Sequence, residues 1–469
     1  MEFHSARYGV FLALTLLLFW LLANRRTPRH LMLLVASYIF YAGWESWFLL
    51  LIVFSTFLDY YCGASIAAST TQRQRKFWLL ISLAGNLGVL GYFKYSAWAA
   101  DGVENLCSVL GVDPAGLSYA WRLAVPVGIS FYTFQTLSYT IDIYRGRLEP
   151  VKNFWDFALF VAFFPQLVAG PIVRAVQFLP QLEFRPRFDR QRLHDGLFRI
   201  AIGLAKKVML ADVLGRYLVD PFYASPQEFG PWVHLLALYG FMFQIYGDFA
   251  GYSDVAIGSA RLMGFDLPEN FEAPFKSRSV REFWRRWHIS LSSWVRDYVY
   301  FPLGGSRDTE PKVARNLVVT MLLIAIWHGS SMLWVYYGLL QGCAMILERA
   351  LQRWRGGGEF TTSRLRSLVA WLFAFHFTVF SCFFIRAQDV GQLRTVFLSA
   401  GDVTGVHRYA WWAFAGAAIT HFLPQAWVRR FYDRVCALPT IVLGLLFGIL
   451  AGLIAIVVVG ETPFIYFQF

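Results

Sequence analysis

The sequence is poor in charge. Asp, Glu, Lys and Arg make up only 15% of its 469 residues, against 57% apolar, where soluble domains carry ~25% charged and ~45–50% apolar residues. With a mean hydropathy of +0.46, a water-soluble fold is excluded, and a single polytopic membrane domain over residues 1–469 is expected. Cysteine is scarce too. Cys62, Cys107, Cys343, Cys382 and Cys436 are scattered, mostly in apolar runs, which suggests neither a disulfide framework nor a CxxC metal site. There is no HExxH, no Walker-type glycine loop and no GxSxG, so a metal enzyme or an ATP-driven pump is disfavoured and no metal ligands are expected. No internal repeat is visible, which argues against transporters built from two related halves. Acidic residues are the rarer sign, 30 against 42 basic, a net charge of +12. In so apolar a chain that excess marks cytoplasmic loops and not a nucleic-acid surface.

Aromatic residues are abundant, at 18%, and fit either wide interfacial belts or aromatic-lined cavities. Apolar runs alternate with charged loops. The run from Tyr8 to Ala23 lacks a cleavage site and reads as a retained first span. Runs over Leu31–Gly43 and Trp47–Ala68 lie between two basic loops, Asn24–His30 and Gln72–Lys76. Both loops are therefore expected in the cytoplasm, with the N-terminus outside. A fourth run, Phe77–Trp98, leads to an acidic outer loop with Asp101, Glu104 and Asp113, and a fifth, about Tyr119–Ile141, returns. Phe154–Val173 contains Pro165 and Gly170-Pro171 and lies between the mixed segment Asp142–Lys152 and the strongly basic Arg174–Arg192, which predicts a re-entrant element with both flanks cytoplasmic, covered by other protein. Leu197–Leu218 is an imperfect span, and Trp232 to about Ile257 leads into the longest polar stretch, residues 258–316, expected on the cytoplasmic side. Leu317–Leu347 is longer than the ~20 residues a straight span needs. It is interrupted by His328-Gly329-Ser330-Ser331 and is either a helix broken there or one long tilted helix. Three further runs, Ser367–Ile385, Tyr409–Trp427 and Leu438–Val459, complete about ten to twelve apolar elements.

His328 stands out among the nine histidines. An ionisable group midway along an apolar run is costly and marks a functional site by default. Small residues follow it, permitting close approach of a substrate or another backbone. His4, His30, His194 and His407 read as solvated or at headgroup level, and His234, His376 and His421 as packing residues. A second cluster is Phe283–Tyr300. On a helix, Trp284, Trp287, His288, Leu291 and Trp294 form one stripe, with Arg285, Arg286, Arg296 and Asp297 mostly off it. Such a helix could float on anionic headgroups, but a histidine on the apolar stripe turns it toward the protein interior. The arginines are suited to the phosphates of a cytoplasmic donor. Histidine can take a proton from a hydroxyl near neutral pH as that hydroxyl attacks a carbonyl, and acyl transfer of this kind needs no metal.

At these residues the chain resembles the membrane-bound O-acyltransferase family, in its bacterial alginate O-acetyltransferase branch. The matching stretches are Val125–Gln135, Phe164–Ile172, Asp248–Asp254, Trp287-His288, Pro302–Gly305, Trp327-His328-Gly329 and the ending Pro463–Phe469. Gln341, where relatives often carry histidine, and Cys382–Arg386 depart from the pattern. The resemblance implies an all-α fold with a ring of transmembrane helices around a central tunnel. It implies His328 as the catalytic histidine and His288 as the second functional one. Arg285, Arg286, Trp287, Ser290, Trp294, Arg296, Asp297, Trp327 and Gln135 are the expected donor- or substrate-binding residues. It also implies acetyl-CoA as donor, a periplasmic SGNH-type O-acetyltransferase or acyl-carrying membrane partner, a polysaccharide acceptor such as alginate, and the bacterial inner membrane as location. Two other readings remain: D-alanyl transfer to teichoic acid from an acylated carrier protein, and a polysaccharide transporter or channel.

Overall fold

The computed structural model describes residues 2–112, 125–168, 170–356, 363–387, 389, 391–392, 406–457 and 464–465. Asp113, the start of the fifth run, Ala169, part of the basic segment after Glu348 and most of the ending 463–469 lie outside them. The described residues form helices and no strands, as an apolar chain must when lipid cannot satisfy its backbone. Among the described residues three helices are long and apolar enough to cross a membrane: Ser46–Ala68, Gln72–Val109 and Arg364–Arg386. A bent pair, Gln425–Cys436 with Thr440–Ile454, makes a fourth if counted as one span. The chain is thus a multi-pass membrane protein. It divides into two compact units, 1–189 with 259–267, and 190–258 with 268–469.

In the first unit, α1 (Ala6–Leu21), α2 (Arg26–Ala42), α3 (Leu49–Ala68), α4 (Gln72–Val109), α5 (Ile129–Tyr144) and α6 (Phe154–Ala162) pack around buried aromatics. Phe178 stacks on Phe265 at 5.5 Å, and Phe163 lies against both. The break expected at Pro165 is present. After α6 the chain makes one helical turn, Phe164–Leu167, and its freed backbone groups find protein partners. The Phe164 N–H donates to Ser37 Oγ, and the Gln166 amide donates to the Phe160 carbonyl. Gly128 (φ 74°) opens α5, and a Cβ there would stand 2.5 Å from the Leu167 carbonyl oxygen. Gln135 is buried on α5, and neither end of its amide has a partner among the described residues.

The second unit contains α7 (Arg190–Leu204), continued by π-helical segments Ala205–Ala211 and Gly215–Val219, and α8 (Pro231–Leu262), whose last residues are grouped with the first unit. Gly196 and Gly203 on α7 face Gly258 and Gly251 on α8. A Cβ at Gly203, Gly251 or Gly258 would stand 2.6–2.7 Å from the opposing carbonyl oxygen, the close backbone approach that small residues permit in membranes. Where α7 widens into its π-helical turn, two lysines enter the helix pair. Lys207 is buried between Asp248 (2.5 Å) and Asp212 (2.8 Å), while Lys206 and Arg199 hold Asp254 at 2.6 and 3.0 Å. The Asp248–Asp254 motif thus supplies ion-pair partners for the imperfect span. His4, His30 and His194, expected to be solvated or at headgroup level, are instead buried. His30 binds Asp156 at 2.7 Å, and His194 donates from Nδ1 to the Cys436 carbonyl at 2.8 Å.

Candidate active site

The expected single stripe over Phe283–Tyr300 is two short helices, α9 (Val280–Arg286) and α10 (Ile289–Val295), separated at Trp287-His288. His288 takes a left-handed conformation (φ 43°), which is strained for a residue with a Cβ. Asn270 holds it there. Its carbonyl accepts from the Ile289 N–H, and its side-chain oxygen accepts from the Ser290 N–H and hydroxyl. The break turns His288 inward, fully buried, against Phe249 at 4.6 Å between ring centroids.

The 317–347 run is a helical hairpin. α11 (Glu310–His328) ends at the histidine, and α12 (Met332–Trp354) starts after Gly329-Ser330-Ser331, so the broken-helix alternative is the one adopted. The Trp334 indole folds back over Gly329 and stacks on His328, with ring centroids 5.3 Å apart at 12°. A Cβ on Gly329 would stand 1.8 Å from Trp334 Nε1, so the indole can lie there only over a glycine. His328 lies 6.1 Å from His288 between centroids, and Trp327 lies 4.7 Å from His328 and 5.8 Å from His288.

His328 opens onto a narrow cavity of about 30 Å³, walled by Phe249, Phe275, Trp284, Trp287, Trp334 and Tyr337 with Thr378 and Cys382. That is room for a water molecule or two. Trp284 is anchored by donating to Gln341 Oε1 at 3.1 Å, so the glutamine that departs from the family pattern supports the wall. Burial pushes the His288 pKa from 6.5 down to about 3, leaving a neutral imidazole beside His328.

The structure therefore joins His328, His288, Trp287 and Trp327 with Trp284. It places the other expected residues elsewhere. Ser290 is tied to Asn270. Trp294 lies tilted against Tyr298, with ring centroids 4.7 Å apart. Arg286 binds Glu282 and the Glu272 carbonyl, and Arg296 binds Asp297. Arg285 is exposed and has no hydrogen bond or ion pair among the described residues. Gln135 belongs to the first unit. Sequence reasoning missed Trp334, Tyr337 and Asn270. The small residues after His328 were the one signal for Trp334, since they leave space that something must fill.

A histidine at the break of an apolar hairpin, a second neutral histidine and an aromatic wall form a water-poor pocket holding a group able to exchange a proton. The chain belongs to the MBOAT, or membrane-bound O-acyltransferase, family, whose model matches residues 48–386, and it is accordingly an O-acyltransferase. It is 40% identical over 384 residues to a "probable alginate O-acetylase" of Pseudomonas aeruginosa, covering 81% of this chain and 71% of that protein. A peptidoglycan O-acetyltransferase of Helicobacter pylori is 32% identical over 80% of this chain and 74% of its own length. A teichoic acid D-alanyltransferase of Bacillus subtilis is 28% identical over 64% and 82%.

Proposed function

We propose that this enzyme takes an acetyl group from acetyl-CoA on the cytoplasmic side of a bacterial inner membrane and passes it to a hydroxyl for O-acetylation of an extracytoplasmic polysaccharide, of which alginate is the leading candidate. The observation that carries the reading is the His328–His288 pair at the aromatic cavity. His328 acts as general base: it takes the hydroxyl proton as the oxygen attacks the thioester carbonyl, a C–O bond forms and the C–S bond breaks. The proton then passes from the imidazolium to the departing thiolate. His288 stays neutral and, with Trp327, positions the reacting groups. Arg285 is the arginine available to a donor phosphate. The membrane helices form a ring of about ten to twelve elements around this centre, and the N-terminus is periplasmic. The first hydroxyl belongs to a periplasmic SGNH-type O-acetyltransferase or an acyl-carrying membrane partner.

Transfer of labelled acetyl from acetyl-CoA in proteoliposomes tests this. His328→Ala is expected to abolish transfer, and full transfer by that variant would overturn the mechanism. The likeness to a teichoic acid D-alanyltransferase favours a second reading, with an acylated carrier protein as donor, and supplying each donor in turn to the same assay separates the two.

A further inference from the structure

The bent pair at the C-terminal side of the second unit has an unusual surface. α16 (Thr440–Val457) has no charged residue and turns Ile441, Leu445 and Ile449 outward at 79%, 62% and 61% exposure, as a helix in hydrocarbon does. α15 (Gln425–Cys436) meets it at a bend of 112°. A helix joined at nearly a right angle to one that crosses the bilayer lies along the bilayer surface.

The α15 sequence suits that position. Trp427, Val428 and Phe431 share one side at helical spacing and are exposed to 63%, 45% and 57%. Arg430 and Arg434 border them, with Arg429 beyond, and Asp433 is the helix's one acidic residue. Among the described residues none of these arginines forms an ion pair. The elbow is also locked in place. Tyr432 donates to Asp195 Oδ1 at 2.9 Å, His194 bonds the Cys436 carbonyl and Thr440 Oγ1, and Phe198 lies against Phe431 and Tyr432. The exposed face is therefore presented rigidly and runs into the lipid-facing side of α16. A folded protein covering the first would have to enter the hydrocarbon beside the second.

We propose that α15 is an in-plane helix that selects anionic phospholipids. Arg429, Arg430 and Arg434 hold the headgroup phosphates, and Trp427, Val428 and Phe431 sit at the boundary with the acyl chains. The helix starts directly after a corner that touches the site. The Leu423 carbonyl accepts from Lys276 Nζ, and His421 Nε2 accepts from the N–H of Phe275, a wall of the His328 cavity.

The full chain, purified from detergent containing equal amounts of phosphatidylglycerol and phosphatidylcholine, tests this by mass-spectrometric measurement of retained lipid. Wild type is expected to be enriched in phosphatidylglycerol. Arg430→Gln with Arg434→Gln is expected to lower the enrichment by about fivefold per arginine, while Arg430→Lys with Arg434→Lys retains it. Should the double glutamine variant fail to accumulate, Arg434→Gln alone is expected to show one such step. Equal retention of both lipids by wild type, or unchanged enrichment in the glutamine variants, would overturn the proposal. Retention is read without donor or acceptor, so its outcome is independent of the transfer chemistry.

Discussion

Gly329 and Trp334 show how much the site depends on one missing carbon. The indole covers His328 because no side chain stands at 329. Gly329→Ala displaces the indole, and a shift of about 1 Å at a reacting group costs on the order of 100-fold in rate. The expected result is a kcat lower by that order, with the protein still folded. Turnover in proteoliposomes beside a melting curve measures both, and unchanged turnover would contradict this role for Trp334. His288 makes a separate prediction with a fixed sign. Its pKa is 6.5 when unfolded and about 3 in the fold, so between those values the unfolded chain binds a proton that the fold refuses. Stability is full above pH 6.5 and falls as the pH drops toward 3. Melting temperature against pH is expected to show this decline, with a smaller slope in His288→Gln. An identical slope in the variant would sink the assignment. Because His288 stays neutral over that whole range, a break in the pH–rate profile near neutrality belongs to another group.

In α3, α4 and α5 a buried carboxylate joins three helices. Asp59 accepts from the Ser82 hydroxyl at 2.5 Å and from the Asn86 amide at 2.8 Å, and Ser82 is also bonded to Thr140 on α5. Asp59→Leu strands the amide and a hydroxyl in an apolar interior, each at about 1–3 kcal/mol, and is expected to lower the melting temperature markedly. Asp59→Asn keeps an acceptor and is expected to be far milder; equal melting of the two variants would remove the hub. The same contrast between local and distant causes explains what could be read from the sequence. The breaks at Pro165 and at His328-Gly329 were legible, because proline and glycine end helices by their own covalent structure. The break at His288 was not, since Asn270 imposes it from 18 residues upstream. Periodicity alone extends the stripe through it. The burial of His30 and His194 depends on Asp156 and Cys436, far along the chain. The run read as Tyr409–Trp427 instead ends at Phe422, and Trp427 belongs to the next helix. The arginines alternating with apolar residues after Pro424 were the available sign.

Charge and length together give an expected orientation for the first four helices. α4 has 38 residues, about 57 Å at 1.5 Å per residue, while the hydrocarbon core is only ~30 Å thick. One end of α4 must therefore stand well clear of the lipid. Its N-terminal end carries Arg73, Arg75 and Lys76, and its C-terminal end Asp101 and Glu104. The two helices preceding it, α2 and α3, begin next to Arg25, Arg26 and Arg29 and end just before the second basic cluster. Two crossings between two basic clusters would put both in the cytoplasm, so α4 is expected to run outward and to carry Cys107, near its far end, to the outside. In intact cells a membrane-impermeant maleimide is expected to label Cys107, with the signal lost in Cys107→Ser. A cysteine introduced as Gln74→Cys is expected to react only after permeabilisation. The reverse pattern would invert every crossing from α1 to α4 and put the N-terminus in the cytoplasm. It would also remove the charge argument behind the proposed cytoplasmic donor.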